Sequence, residues 1–508
     1  MNDLYHQTIE ELANKVLRLQ MEDSPSRRRT YSSSSALAVT EAPTRGAATI
    51  SSSDIHVECV LGLPVAHTSP FQKLPQELLV DVFAQACEGA WLLMDVARVP
   101  TLFSLLMVCV HWHKVILSTP SLWSTIRVKM TSRMKRTEDL SRALSRLTKL
   151  VRLYLHRSGS SPLTMVLHLH IPFVTERDGF LGVLAQSANR WKSVALLSVK
   201  YPPLQHILPH SSFLENLQIK DYSVGDSSLD LSGCGSLISF GCFGPLSPTR
   251  IILPWKQLKK LDLDIGTDHR DYNPFLVPVL DLCPQLDTLS LFISYTGYPL
   301  GDPIVHSRIQ RLQLRSVRSA SDFFSIFRRF SFPSLSTLII GGHSYAWNIN
   351  IEPFRDFLVR SSCIITHLDL GPRPASDEKV LSLLQLLPSL VSLRIEEWRP
   401  PPYIHINHQA LLNEIITPKF LSALSFTDPP LIPRLRDVTF ALHGRSLNEE
   451  ALVTSITSRS PGKATELGVE CLRSLTVEIL DKVPLSSKSS FQQIRDVGIY
   501  VNTFQDAE

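Results

Sequence analysis

Between residues 214 and 499 of the 508-residue chain, apolar positions recur as Φ-x-x-Φ-x-Φ, where Φ is apolar and x is mostly polar. Alternate residues of a strand point to opposite faces, so each string predicts a short strand with Φ in a core and x outside. Ten copies occur: Leu214/Leu217/Ile219, Leu258/Leu261/Leu263, Leu286/Leu289/Leu291, Ile309/Leu312/Leu314, Leu335/Leu338/Ile340, Ile365/Leu368/Leu370, Leu390/Leu393/Ile395, Leu435/Val438/Phe440, Leu472/Leu475/Val477 and Ile494/Val497/Ile499.

The spacing of these strings predicts a repeat. Neighbouring copies lie 23 to 30 residues apart between 261 and 393, and Leu237 and Phe240 supply a degenerate copy in the longer gap before them. Helical segments are predicted between strings, for example at Asp322–Phe330, Lys379–Leu387 and Glu449–Thr457. A strand–helix unit of this length cannot bury its apolar side alone, so units stack. The pattern therefore predicts an irregular leucine-rich-repeat solenoid over 124–508, of the α/β class with parallel strands.

A shorter helical region is predicted before the repeats. Pro75 suits the first turn of a helix, and a loop rich in charge, Gly and Pro follows over about 87–100. A second helical stripe then ends at Ser118–Thr119–Pro120, because the residue before a proline avoids the α region. The apolar positions with helical spacing are Leu78, Leu79, Val82, Phe83 and Ala86, then Leu102, Leu105, Leu106, Cys109, Trp112 and Ile116.

Three motifs in this region occur in a recognisable order. They are Leu74-Pro75-x-Glu77-Leu78-Leu79, Val108-Cys109-x-x-Trp112 and Pro120-x-Leu122-Trp123. Residues 69–123 thereby resemble an F-box, a helical module without a catalytic group. The stretch that follows, with a helix reaching Arg157–Gly159 and a strand from Pro162, extends the likeness. The whole of 71–508 is similar to fungal F-box proteins with irregular C-terminal leucine-rich repeats.

This resemblance implies a function by docking. The chain would be the substrate receptor of a Skp–cullin–F-box ubiquitin ligase, in the cytoplasm or nucleus, with the F-box on a Skp-type adaptor, cullin beyond it, and a target protein on the repeats. A scaffold that binds the adaptor without delivering substrates is the alternative. Phe83, Val108 and Trp112 fit equally well as residues of the module's own core and as residues of the interface. Carried over by position, the adaptor contacts are Leu74, Pro75, Leu78, Leu79, Val82, Phe83, Leu105, Val108, Cys109, Trp112, Leu122 and Trp123.

The target would contact outward strand positions. Candidates are Lys260, Asp262, Asp287, Ser290, Arg311, Gln313, Arg394 and Glu396, with solvated surface as the alternative for each one.

The first 68 residues differ in composition from the rest. Residues 1–20 predict a short amphipathic helix, too short for the three heptads that a coiled coil needs. Residues 21–68 are rich in Ser, Thr and Pro and predict a disordered linker. Ser24, Ser26 and Thr30 flank Arg27–Arg29, which leaves phosphorylation or nuclear import as an alternative to a solvated linker.

The overall composition of the chain argues against several classes of function. A net charge of +4 over 508 residues is too small to argue for nucleic acid. No run of eighteen uncharged apolar residues occurs, so no membrane span is expected. Eight cysteines without a C-x-x-C pair predict buried thiols rather than a zinc ribbon or redox motif.

Candidate catalytic groups are few. His111 and His113 point to opposite sides of a helix and cannot share a metal. His206 and His210 are separated by a proline, and His405 and His408 lie in a proline-rich loop without other ligands. The sequence from Gly342 to Ala346 imitates the nucleophile elbow of a hydrolase, but no helix follows Ser344 directly. We therefore predict no catalytic residue, cofactor or metal, and keep a hydrolase centred on Ser344 as the minor alternative.

Overall fold

The computed structural model has an α/β fold. Its largest element is one continuous parallel β-sheet. Fifteen of the strands in the described residues belong to this sheet, and their order in space follows their order in sequence. The described residues all lie in one unit, 68–508. They comprise 74–93, 100–130, 137–169, 179–197, 207–220, 229–243, 251–265, 276–293, 303–316, 323–342, 350–372, 376–397, 415–425, 430–444, 447–466, 469–480 and 488–505.

All strand pairs in the described residues are parallel, including those of two separate two-stranded sheets, β6–β8 and β11–β13. The strands are β1 (Leu92–Leu93), β2 (Thr125–Met130), β3 (Leu163–Leu169), β4 (Trp191–Leu197), β5 (Asn216–Lys220), β6 (Leu229–Asp230), β7 (Ser239–Cys242), β8 (Ile251–Ile252), β9 (Lys260–Ile265), β10 (Thr288–Ile293), β11 (Ile304–Val305), β12 (Arg311–Ser316), β13 (Phe330–Ser331), β14 (Thr337–Gly342), β15 (His367–Leu370), β16 (Ser392–Glu396), β17 (Asp437–Leu442), β18 (Ser474–Ile479) and β19 (Tyr500–Gln505).

Twelve α-helices occur in the described residues, together with short 3-10 helices such as Pro120–Trp123 and Phe323–Arg329. The α-helices are α1 (Gln76–Ala86), α2 (Thr101–Leu106), α3 (Val110–Ser118), α4 (Thr137–Arg157), α5 (Phe180–Ala185), α6 (Leu276–Leu282), α7 (Glu352–Ser361), α8 (Asp377–Leu384), α9 (Pro418–Leu424), α10 (Glu449–Ser458), α11 (Pro461–Glu466) and α12 (Lys488–Asp496). None of the described helices is both long and apolar enough to cross a bilayer.

The repeating apolar string determines the register of the sheet. Its second Φ positions are direct neighbours on adjacent strands, as with Leu289 between Leu261 and Leu312, and its third positions form a parallel ladder beside them. The first Φ position precedes each strand and is buried in the same core. Nine of the ten strings therefore fall where strands were predicted, and Phe240 of the degenerate copy lies in β7.

The tenth string does not form the predicted strand. Ile494 lies in α12, and Val497 and Ile499 lie in the turn that follows, so β19 begins only at Tyr500. The turn needs Gly498, which adopts φ +85°. Apolar spacing alone cannot distinguish a helix end followed by a turn from a strand.

Two predicted helices also differ from the structure. Residues 323–329 form a 3-10 helix rather than an α-helix. The second helical stripe before the repeats is two helices, because Cys109 breaks it and its Sγ accepts the N–H of Trp112 at the start of α3. By contrast, α4 ends at Arg157 and β3 begins at Leu163, as expected.

Long polar side chains connect successive units. Arg190 donates to the carbonyls of Leu155 and Ser161, Arg360 to those of Phe327 and Phe330, and Arg459 to those of Leu424 and Ile432. Each pair of carbonyls lies 27 to 35 residues earlier in the chain. Helix and turn ends leave carbonyls without intrahelical partners, and these arginines satisfy them from the next unit.

Arg459 is the most deeply placed of these arginines. Its side chain is fully buried, and burial lowers the pKa of its guanidinium to about 10. A buried cation is costly unless it is hydrogen-bonded, so its carbonyl partners are needed to retain it.

The predictions for residues 1–20 and 21–68 lie outside the described residues, as do Ser344, His206, His405 and His408.

Candidate functional site

Helix α1 divides its apolar side chains between two faces. Leu79 and Phe83 are completely buried, whereas Leu78 and Val82 are 51% and 48% exposed. Leu78 and Val82 are four residues apart and therefore lie one above the other on the helix. Pro75 occupies the N-cap position rather than the first turn, and it too is exposed.

The turn between α2 and α3 adds three more exposed apolar side chains. Met107 and Val108 are each more than half exposed, and Val110, at the start of α3, is 72% exposed. Exposed apolar side chains that form one patch mark an interaction site on a protein surface. We call Leu78, Val82, Met107, Val108 and Val110 the apolar helix surface.

Aromatic packing beneath this surface holds the helices in place. The rings of Phe83 and Trp112 are 4.8 Å apart in an edge-to-face arrangement, which joins α1 to α3. Trp123 is fully buried, donates its indole N–H to the carbonyl of Ile116 at 2.9 Å, and packs 5.1 Å from Tyr154 of α4. Burial raises the pKa of the Tyr154 hydroxyl.

The twelve residues predicted as adaptor contacts thus separate into three groups. Leu79, Phe83, Leu122 and Trp123 are buried within this chain, and Pro75, Leu78, Val82 and Val108 are exposed. The four others, Leu74, Leu105, Cys109 and Trp112, are half-buried. Met107 and Val110 belong to the surface but were missed, since the sequence motifs do not include them.

The second candidate surface is the side of the sheet opposite the Φ positions, which we call the polar face. Register places its side chains in rows that cross the strands. One row runs through Lys260, Thr288 and Arg311 and continues to Asp437, while a parallel row runs from Asp264 through Phe292 and Arg315. Adjacent strands are about 4.8 Å apart, so neighbours in a row are in reach of one another.

Between β5 and β12 this face exposes cations, and two of them lie over aromatic rings. Lys220 lies 4.8 Å from the Phe243 ring and Arg315 lies 5.4 Å from the Phe292 ring. The two rings contact each other edge to face at 4.4 Å. Cation–π contacts of this kind fix the direction of otherwise flexible cations.

Between β15 and β18 the same face is acidic. Arg394 lies 2.6 Å from a carboxylate oxygen of Glu396, 2.8 Å from Glu478 and 3.8 Å from Asp369. One guanidinium thus faces three carboxylates, which leaves an excess of two negative charges. Burial raises the pKa of the Asp369 carboxyl, and the carboxylates of Glu396 and Glu478 add to the rise. The guanidinium groups of Arg394 and, more weakly, Arg311 oppose it.

Two candidate target contacts are not exposed. Asp262 and Ser290 are 5% and 3% exposed, although both lie on the polar face as predicted. Lys260 covers Asp262 through an ion pair of 3.3 Å. Lys260, Asp287, Arg311, Gln313, Arg394 and Glu396 remain partly or fully exposed.

The described residues contain no group of three or more His, Cys, Asp or Glu side chains arranged to hold a metal ion. His113 contacts the carbonyl of Leu106 through Nδ1 at 3.2 Å. Of the seven described cysteines, Cys234, Cys242 and Cys283 are buried. The prediction of buried thiols is wrong for the half-buried Cys87, Cys109, Cys363 and Cys471.

A scan against protein-family models and a search of curated proteins found no match to this chain.

Proposed function

We propose that this chain is the substrate-recognition subunit of a Skp–cullin–F-box ubiquitin ligase. In this proposal α1–α3 are an F-box that docks on a Skp-type adaptor, and the strand–helix units are irregular leucine-rich repeats that hold a target protein. The observation that carries the proposal is the apolar helix surface, because it coincides with the segment whose motifs resemble an F-box.

The exposed and buried groups have complementary roles in this proposal. Leu78, Val82 and Val108 would lose water on the adaptor, and burial of apolar area is the main driving force of such association. Phe83, Trp112 and Trp123 would hold the helices rigid, so that little conformational entropy is lost on docking.

The receptor would act by proximity rather than by chemistry. Holding the target beside the conjugating enzyme raises the effective concentration of its lysines. The proposal thus needs no catalytic group on this chain.

Co-purification with a co-expressed Skp-type adaptor tests the proposal. We expect the wild-type chain to retain the adaptor, and Leu78→Asp/Val82→Asp to lose it by tenfold or more, because two charges would be desolvated at the interface. Val359→Asp on α7 is the matched control, since Val359 is also strongly exposed but distant in sequence from α1–α3. Retention of the adaptor by both variants, or by neither variant nor wild type, contradicts the proposal.

A second measurement distinguishes the scaffold alternative from the proposed substrate receptor. If the adaptor and cullin co-purify with the chain but no protein bound to the polar face accumulates when the ligase is inhibited, the chain is a scaffold rather than a receptor.

A further inference from the structure

The polar face is divided by charge along the sheet. Its cationic half consists of Lys220, Lys260, Arg311 and Arg315 on strands β5 to β12. Its acidic half consists of Asp369, Glu396, Asp437 and Glu478 on strands β15 to β18. Strand β14 separates the halves and contributes the uncharged Thr337 and Ile339 to the rows.

Opposite charges that could blur this division are neutralised locally. In the cationic half, Asp262 and Asp264 are almost completely buried, and Lys260 is paired with Asp262. In the acidic half, the single charge of Arg394 is opposed by three carboxylates. The exposed charge on β5–β12 is therefore positive, and that on β15–β18 is negative.

We propose that the polar face binds an extended protein segment that carries an acidic cluster and a basic cluster, with the acidic cluster on β5–β12 and the basic cluster on β15–β18. This inference rests on the proposed function, because it gives the chemical class of the target. Complementary potentials orient such a segment and reject partners of uniform charge.

The register gives the length of the segment. Nine strand spacings separate β5 from β18 in the sheet, which is about 43 Å. An extended chain rises about 3.3 Å per residue, so about 13 residues span both halves. Two spacings separate Arg311 from Asp369, or about 10 Å, which corresponds to about three neutral residues between the clusters.

The aromatic rings contribute to the cationic half. Phe243 and Phe292 are partly exposed and hold Lys220 and Arg315 by cation–π contacts. Preorganised cations lose less side-chain entropy on binding than free ones. We therefore expect the acidic cluster of the segment to contribute more to affinity than its basic cluster.

Labelled peptides and fluorescence anisotropy test the inference on the full chain purified with its adaptor. The probe has five acidic residues, Gly-Ser-Gly and five basic residues, and is made in both chain directions. Its control has the same composition with acids and bases alternating. We expect at least one direction of the block peptide to bind about tenfold more tightly than the alternating peptide, about 1.4 kcal/mol. Equal affinities, or no binding of the block peptide, overturn the inference.

Charge reversal supplies a test that loss of folding cannot imitate. Arg311→Glu/Arg315→Glu reverses two exposed members of one half, and Asp437→Lys/Glu478→Lys reverses two members of the other. Each pair should remove the preference for the block peptide, because its half then carries cations and anions in similar numbers, while the midpoint of thermal unfolding stays within a few degrees of that of the wild type. A pair that folds normally and keeps the preference overturns the inference.

Failure of this inference is distinguishable from failure of the proposed function. The Leu78→Asp/Val82→Asp variant, purified without adaptor, should keep the peptide preference. If the adaptor never binds but the preference is present, only the proposed function fails. If the adaptor binds and the preference is absent, only the charge-order inference fails.

Discussion

The helical segment and the repeat sheet bury their apolar side chains to different extents. On α1–α3, Leu79 and Phe83 are buried but Leu78, Val82 and Val108 remain about half exposed. On β9–β18 the Φ side chains of the strand ladders are buried and the opposite face carries polar and charged groups. One region is thus suited to an apolar interface and the other to an electrostatic one.

The largest expected difference between the regions concerns stability. Leu338→Ala on β14 removes a fully buried side chain and should lower the free energy of unfolding by about 2–5 kcal/mol. Leu78→Ala, on the apolar helix surface, should change it by less than about 0.5 kcal/mol. Denaturant unfolding measures both, and a comparable loss for Leu78→Ala would show that its side chain is packed within this chain.

Thiol labelling provides a second contrast. Burial raises the pKa of the Cys283 thiol to about 12. At pH 8 the thiolate fraction is then roughly a thousandfold lower than for an ordinary thiol of pKa about 8.5, so native Cys283 should label with iodoacetamide roughly a thousandfold more slowly than in the unfolded chain. The half-buried Cys109 of the helical segment should label faster than Cys283. Mass spectrometry of the labelled peptides measures both rates, and equal rates in the native protein would contradict the comparison.

The arginines that connect the units should make a smaller contribution to the free energy of unfolding. Arg360→Met leaves the carbonyls of Phe327 and Phe330 without this donor and should cost roughly 1–3 kcal/mol of unfolding free energy. Arg355→Met on the same helix removes only an exposed ion pair with Glu352 and should cost less than about 0.5 kcal/mol. Thermal or denaturant unfolding compares the two, and equal effects would mean that the carbonyls find other donors.

The salt dependence of binding should differ between the two surfaces. This is the smallest of the expected differences. Screening shortens the Debye length from about 10 Å at 0.1 M to about 3 Å at 1 M salt. Over this range we expect the affinity for the adaptor to change by less than about twofold, and the affinity for the block peptide to fall by about tenfold. Titrations at both salt concentrations check this, and a salt-sensitive adaptor complex would indicate a charged rather than an apolar interface.

The sequence predicted the sheet well because its information is local. In a string such as Leu286/Leu289/Leu291 the residues of one strand alternate between the two faces, and equivalent positions of successive strings become neighbours in the sheet. The strand that the string predicts at Ile494 is absent, because a helix end followed by a turn has the same apolar spacing. The short pairs β6–β8 and β11–β13 involve two residues per strand, which is too few for any periodicity.

Other features depend on contacts between distant residues and could not be predicted. The carbonyl partners of Arg190 and Arg459 lie about one unit away, and no local motif marks them. Asp262 is on the predicted face but is covered by Lys260. On α1 the motif includes buried and exposed residues alike, and only the packing of Phe83 against Trp112 shows that Leu78 and Val82 are the exposed ones.

Hydrogen–deuterium exchange with and without a Skp-type adaptor tests the central claim most directly. The claim is that the adaptor binds the apolar helix surface and leaves the polar face free. We expect adaptor-dependent protection in α1 and in the turn and helix around Val108 and Val110, with unchanged exchange in β9–β18. Protection of the sheet strands, or no protection of α1–α3 at saturating adaptor, would contradict the claim.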